Sequence, residues 1–357
     1  VNGYNVLLPD SSRDMLPELA LPAMDALQQL GHTPVTLGME SMAELYRDMR
    51  TKRHGGYELF MFYARDIVQK GNIDFALSFG LSGILEDPQK EELHYLPEEF
   101  KLPGLLVVHG RGSETGARLL QAGAARWSYT SVCCSSRTLL NELHSAGVSR
   151  LEYLPLAYSP RVFFPQDSVP ANAAYPLQPE NERLTQGYAA SFAGVHSPYR
   201  EQALAAVAAE GIGLAVFGDA AWEQSSIAEC FRGGVRRLEE LNTVYNASAI
   251  NLDLPHSVDD AGDYVSARVV ECLGSGGFLL SVDQPGLAAY AAEGQEIAGC
   301  RDSATLAGEV RRWLDQPQER AAIAAAGHAR VQREAQWTQR LKPALSRLEM
   351  MLLASVR

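Results

Sequence analysis

Cysteine, basic charge and long apolar runs are all scarce in this chain. The five cysteines (Cys133, Cys134, Cys230, Cys272 and Cys300) are odd in number and scattered, with no C-x-x-C spacing. They argue against a disulfide framework and for a reducing compartment. The eight histidines form no H-x-x-x-H pair and no D-x-D stands out, so no metal site is expected. Lysine and arginine total 31 against 43 acidic residues, a net charge of −12. That balance lacks the basic footprint that displaces counterions from nucleic acid, so nucleic acid is not an expected partner. A small phosphate ligand stays open, because a few arginines in one cleft create a local positive field. No apolar stretch approaches the roughly 20 residues that span a bilayer. The opening VNGYNVLLPD reads as a first strand, not a signal peptide. A cytoplasmic protein is expected, with peripheral contact at the inner membrane face left open.

The 357 residues suggest two domains, and 46% hydrophobic residues can fill two cores. YNVLLPD, TPVTLG, DFALSFG, GLLVVHG, YTSVCCSS and RLEYLPLAY read as short buried strands separated by helical stretches. The polar, proline-bearing stretch 166–187 reads as a linker. Strand patterns then resume in YAASFAG, LAVFGD, AINLDLP and GFLLSVD. The expected fold class is therefore α/β, with two doubly wound Rossmann-like domains facing a cleft. The domains are 1–165 and 188–335. A C-terminal helix at 336–357 is expected to cross back to the first domain. In such sheets, ligands bind beyond the carboxyl ends of the strands.

Several residues sit where that rule puts chemistry. His109 ends GLLVVH, at a strand's carboxyl end; a catalytic imidazole and a buried structural one are equally compatible with that place. Gly110, Gly112 and Gly116 are only a partial dinucleotide fingerprint, without the expected acidic residue after a second strand. In SFAGVHSPYR, Gly194 allows close backbone approach and Arg200 offers a permanently charged fork for phosphate. In DYVSARVVECLGSGGFLLS, Arg268 and Glu271 lie three apart and share one helix face. On a surface such a pair contributes about 0–1 kcal/mol. Here the short helix runs into an interior-looking strand, which points to a ligand instead. A nucleotide sugar accounts for both charges and for Asp263: the glutamate holds ribose hydroxyls, the arginine neutralises a diphosphate, and the aspartate accepts sugar hydroxyls.

The ordered segments FAGVHSPYREQAL, VFGDAAW, LNTVYNASAINLDL, ARVVECLGSGGFLLS and QWTQR cover about Ser191 to Arg340. Together they resemble the donor-binding domain of GT-B-fold glycosyltransferases, especially the spore-maturation (CgeB-like) family. LEYLPLAYSPRVFFP is similar to the segment that closes the first domain there. The resemblance implies a hexosyltransferase-type enzyme. It would move a sugar from a nucleoside-diphosphate sugar to a protein, glycan or lipid-linked acceptor without a metal or other cofactor. Glu271 matches the second acid of the family's E-x7-E motif, and Asp263 stands at the first, where many relatives have glutamate. Arg200 and Arg268 would clamp the diphosphate, with Gly194 beside them. Gly234 and Val235 would meet the nucleobase with their backbone, and Trp222 would line that pocket or serve the core. His109 matches a histidine that faces the donor sugar. Relatives carry a glycine-rich loop after the first strand; here Asp10, Ser11 and Ser12 occupy it, and with Ser82 and Gly83 they are read as acceptor-side residues. The same features leave room for a GT-B-fold epimerase or a non-catalytic nucleotide-binding protein. A dehydrogenase would rest on Gly110–Gly116 alone.

Overall fold

The computed structural model describes residues 3–9, 17–37, 56–81, 83–87, 90–109, 112–168, 170, 173, 182–235, 237–257 and 263–355. Two compact units divide the chain: Val1–Pro155 with Trp337–Arg357, and Leu156–Gln336.

The first unit holds strands β1 (Asn5–Leu8), β2 (Thr33–Thr36), β3 (Phe75–Phe79), β4 (Ile84–Asp87), β5 (Glu92–Tyr95), β6 (Gly104–Val108), β7 (Thr130–Cys134) and β8 (Leu151–Tyr153). Its helices are α1 (Pro17–Gln29), α2 (Gly56–Lys70), α3 (Leu96–Glu99), α4 (Gly112–Gln121) and α5 (Arg137–Ser145). Six strands form a parallel sheet in the order β2-β1-β3-β6-β7-β8. The central strands FALSF, GLLVV and TSVCC are buried at every residue, as strands covered on both faces must be. TPVT, with its proline, occupies an edge, where a missing ladder donor costs little. The antiparallel pair β4–β5 has no clear strand signal in the sequence; ILED and ELHY are four residues each and half polar.

The second unit holds β9 (Ala190–Ala193), β10 (Leu214–Phe217), β11 (Asn251–Asp253), β12 (Leu279–Val282) and β13 (Ala298–Cys300). Helices α6 (Glu182–Thr185), α7 (Pro198–Ala209), α8 (Leu238–Ala247), α9 (Arg268–Gly274), α10 (Leu306–Leu314) and α11 (Pro317–Glu334) accompany them. The sheet is parallel, in the order β10-β9-β11-β12-β13. Phe192, Leu204, Trp222, Leu252, Leu280 and Trp313 fill its core. Ser197 caps α7 by accepting the Arg200 N–H at 3.2 Å. The last described helix, α12 (Trp337–Ser355), belongs to the first unit, where Trp337 meets Phe79 edge-on at 5.8 Å.

The division between units falls at Leu156, earlier than the sequence suggests. Residues 156–165 pack with the second unit because α8 holds them: the Phe164 and Gln166 N–H groups donate to Asn242 and Asn246 at 3.2 and 2.8 Å. The proline-rich stretch is not linker throughout either. Leu184 of α6 is buried with Tyr188, Phe217 and Val244.

In each sheet the first strand is flanked on one side by its successor and on the other by a later strand. The order therefore reverses between β1 and β3, and again between β9 and β11. Those two carboxyl-end crevices are where an open parallel sheet offers a ligand site.

Candidate functional site

The crevice of the second sheet lies between the ends of β9 and β11. Strand β9 leads into Gly194, β11 ends on Asp253, and α9 opens with Arg268. A Cβ on Gly194 would sit 2.9 Å from Phe192 Cζ and 3.0 Å from Arg268 Nη1. Glycine is therefore what lets the guanidinium lie against the end of β9. The same guanidinium stands 5.5 Å above the Phe192 ring, within cation–π range. Its Nε lies 3.4 Å from Asp253 Oδ1. Burial works against the charge of Arg268, but the negative charge around it, Asp253 foremost, outweighs it and raises its pKa above the ordinary value.

Asp253 is the residue that sequence reasoning missed. It is only 1% exposed. Besides Arg268, its carboxylate accepts from Ser266 Oγ at 2.9 Å, Ser281 Oγ at 3.1 Å and Gln284 Nε2 at 2.8 Å. Within AINLDLP it resembles one polar residue in a buried strand, and its partners lie 13 to 31 residues away.

Glu271, one turn beyond Arg268, is also buried. The Tyr245 hydroxyl donates to its Oε2 at 3.5 Å. Burial, then the Glu271 charge, push the Tyr245 phenol well above its usual pKa, so it remains a donor. Asp263 lies half-buried before α9, with its backbone carbonyl close against Gly286. Gly234 is exposed at the end of β10, beside the Gly218 carbonyl, and Val235 packs on the Tyr188–Phe217 cluster.

Two of the candidate binding residues have their polar groups engaged by the chain itself. Arg200 is buried, and its guanidinium donates to the backbone carbonyls of Val195 at 2.9 Å, Leu254 at 2.9 Å and Pro255 at 3.1 Å. It ties the loop after β9 to the segment after β11. Trp222 has no exposed surface, and its Nε1 donates to the Gly194 carbonyl at 2.9 Å. It packs in the core beneath that loop. His196, a histidine not singled out from the sequence, meets Glu201 at 2.6 Å and packs edge-on to Trp222 at 4.8 Å. The Ser226 N–H, then His196, hold the Glu201 carboxyl down at about 2.

In the first unit, His109 follows β6 and is buried. Its Nδ1 is 2.9 Å from Ser135 Oγ, which also lies 3.4 Å from the Val108 carbonyl. With the hydroxyl proton directed to that carbonyl, Nδ1 carries the ring proton and Nε2 is the acceptor. Burial lowers the His109 pKa to about 4, so the ring is neutral at pH 7. Gly83 has a φ of +82° and packs against Pro9, at the crevice between β1 and β3. Asp10, Ser11, Ser12 and Ser82 lie outside the described residues, as does Gly110 of the partial dinucleotide pattern.

Among the described residues, no group of three or more His, Cys, Asp or Glu side chains is placed to hold a metal ion. No described helix is long and apolar enough to cross a membrane. No curated protein matches the chain by sequence. Residues 200–346 match the model of a family described as glycosyl transferase-like. Among solved structures, a sucrose-phosphate synthase from Thermosynechococcus elongatus is similar at TM-score 0.66 and 14% identity, covering 99% of this chain and 100% of that one. A glycosyltransferase from Rickettsia africae ESF-5 gives 0.64 and 14%, covering 99% of both. Anabaena HepE, solved with UDP and glucose, gives 0.62 and 12%, covering 97% of this chain and 100% of its own. Two parallel doubly wound sheets, matched over nearly the whole of each of these chains, give this protein the GT-B fold.

Proposed function

We propose that the protein is a glycosyltransferase that takes its sugar from a nucleoside-diphosphate donor held at the β9–β11 crevice. The carrying observation is the pair on α9: the Arg268 guanidinium against Gly194 at the strand end, and the buried Glu271 carboxylate one turn further on. An acceptor carboxylate suits the vicinal hydroxyls of ribose, and a guanidinium suits phosphate oxygens. The motif order from Ser191 to Arg340 supports the spore-maturation type within this class. A neighbour solved with UDP makes UDP-sugars the first donors to test.

In the reaction, the bond from the anomeric carbon to the β-phosphate oxygen breaks. The acceptor oxygen bonds to that carbon and gives up its proton. Charge grows on the departing diphosphate, and in this reading Arg268 stabilises it without a metal ion. Asp263 receives sugar hydroxyls, and the Gly234–Val235 backbone faces the base. His109, neutral at pH 7, contributes a hydrogen bond in the transfer step, not a positive charge. Arg200 acts indirectly, by shaping the loop that carries Gly194. The acceptor is a protein, glycan or lipid-linked saccharide.

Calorimetric titration with a panel of nucleoside diphosphates tests the reading. Wild type binds one of them, and folded Glu271→Ala loses most of that affinity. Unchanged affinity in that variant for every nucleotide sinks the assignment. His109→Ala lowers turnover more than nucleotide affinity; equal losses make it a binding or folding residue.

A further inference from the structure

We infer that Asp253 is a positioning residue that sets the Arg268 guanidinium for its anionic ligand, an inference that rests on the donor reading above. Both carboxylate oxygens of Asp253 are engaged. Oδ1 faces Ser266 Oγ at 2.9 Å and Arg268 Nε at 3.4 Å; Oδ2 accepts from Ser281 Oγ at 3.1 Å and Gln284 Nε2 at 2.8 Å. With four donors and 1% exposure, the carboxylate is turned toward protein partners and not toward a ligand.

Its hold on Arg268 is on the Nε edge, and the opposite side of the guanidinium, at Nη1, lies 3.0 Å from where a Cβ of residue 194 would be. The terminal amino edge is thus carried to the end of β9. A long side chain would otherwise sample many rotamers, so ordering it beforehand removes a cost from ligand binding. The partners arrive from the loop before α9, from β12 and from the turn after β12. A buried ion pair is a poor source of stability compared with apolar packing. Ion pairing at a strand end in a sheet crevice is better explained by orientation.

The test measures UDP and uridine affinity, by direct and displacement calorimetry, for wild type, Asp253→Asn, Arg268→Gln and the double variant. Asp253→Asn should weaken UDP about tenfold and leave uridine within about twofold. The loss should largely vanish in the Arg268→Gln background, because the two residues act through one contact. Ser281→Ala, a milder change, should weaken UDP in the same direction and serves if Asp253→Asn does not fold. Equal losses for UDP and uridine, or a full Asp253→Asn effect without Arg268, overturn the inference. If wild type binds a nucleoside diphosphate other than UDP, that nucleotide and its nucleoside replace the probes. If wild type binds none, the donor reading falls and this inference with it. If wild type binds and neither variant differs, only this inference falls.

Discussion

The Tyr245 hydroxyl reaches Oε2 of Glu271 across 3.5 Å, with both side chains buried in the second unit. This is a long contact, so it orients the carboxylate more than it stabilises the fold. Tyr245→Phe removes the donor and keeps the ring. A net contribution of about 0.5–1 kcal/mol corresponds to a two- to fivefold loss of nucleotide affinity. Calorimetry should show that small loss beside a much larger one for Glu271→Ala. A Tyr245→Phe effect as large as that of Glu271→Ala would show that the phenol itself contacts the ligand.

Arg200 is expected to behave as a structural residue. Replacing it with methionine keeps much of the apolar stem but leaves the carbonyls of Val195, Leu254 and Pro255 without these donors. Their loss should cost about 2–4 kcal/mol in denaturant unfolding of the free protein. A variant as stable as wild type, with only its nucleotide affinity reduced, would return Arg200 to the diphosphate.

Gly194→Ala puts a methyl group 3.0 Å from Arg268 Nη1 and 2.9 Å from Phe192 Cζ. The guanidinium is the more mobile neighbour and should be displaced. Nucleotide affinity is expected to fall tenfold or more, with a melting-temperature loss of a few degrees. Retained affinity would show that Arg268 has no part in binding.

His109 makes stability depend on pH in a definite direction. The unfolded imidazole takes up its proton near 6.5 and the native one only near 4. Between those values the unfolded state binds more protons, so stability is full above 6.5 and declines as the pH falls toward 4. The whole difference amounts to about 3 kcal/mol. Urea unfolding from pH 4 to 7.5 should show a shallower decline for His109→Gln than for wild type. Parallel curves would mean that the native ring titrates like an exposed one.

Much of this fold is written in local patterns. FALSF, GLLVV and TSVCC are apolar enough to be central strands wherever they occur, and the strand–helix alternation dictates parallel sheets. The α9 pair was legible for the same reason, since Arg268 and Glu271 stand on one short helix. Partners distant in sequence were not legible. Arg200 looks like any helix-face arginine until its backbone acceptors are seen, some 54 residues ahead. Trp222 is as plausible at a pocket as in a core, and only packing decides. Asp253 has no local signature, because its environment is assembled by the sheet and the loop after it. The stretch 156–165 groups with the second unit through side chains of α8, which its own composition does not announce.

The first unit is discontinuous: it is built from Val1–Pro155 and from α12, Trp337–Ser355, with the whole second unit encoded between them. During synthesis, the partner of Phe79 in that core is therefore delivered only after Leu156–Gln336 has left the ribosome. Where the N-terminal domain usually finishes folding first, this contact of the first unit can form only after the second unit has been made. The second sheet lies wholly within one continuous stretch of sequence, whereas the core of the first is completed by Trp337.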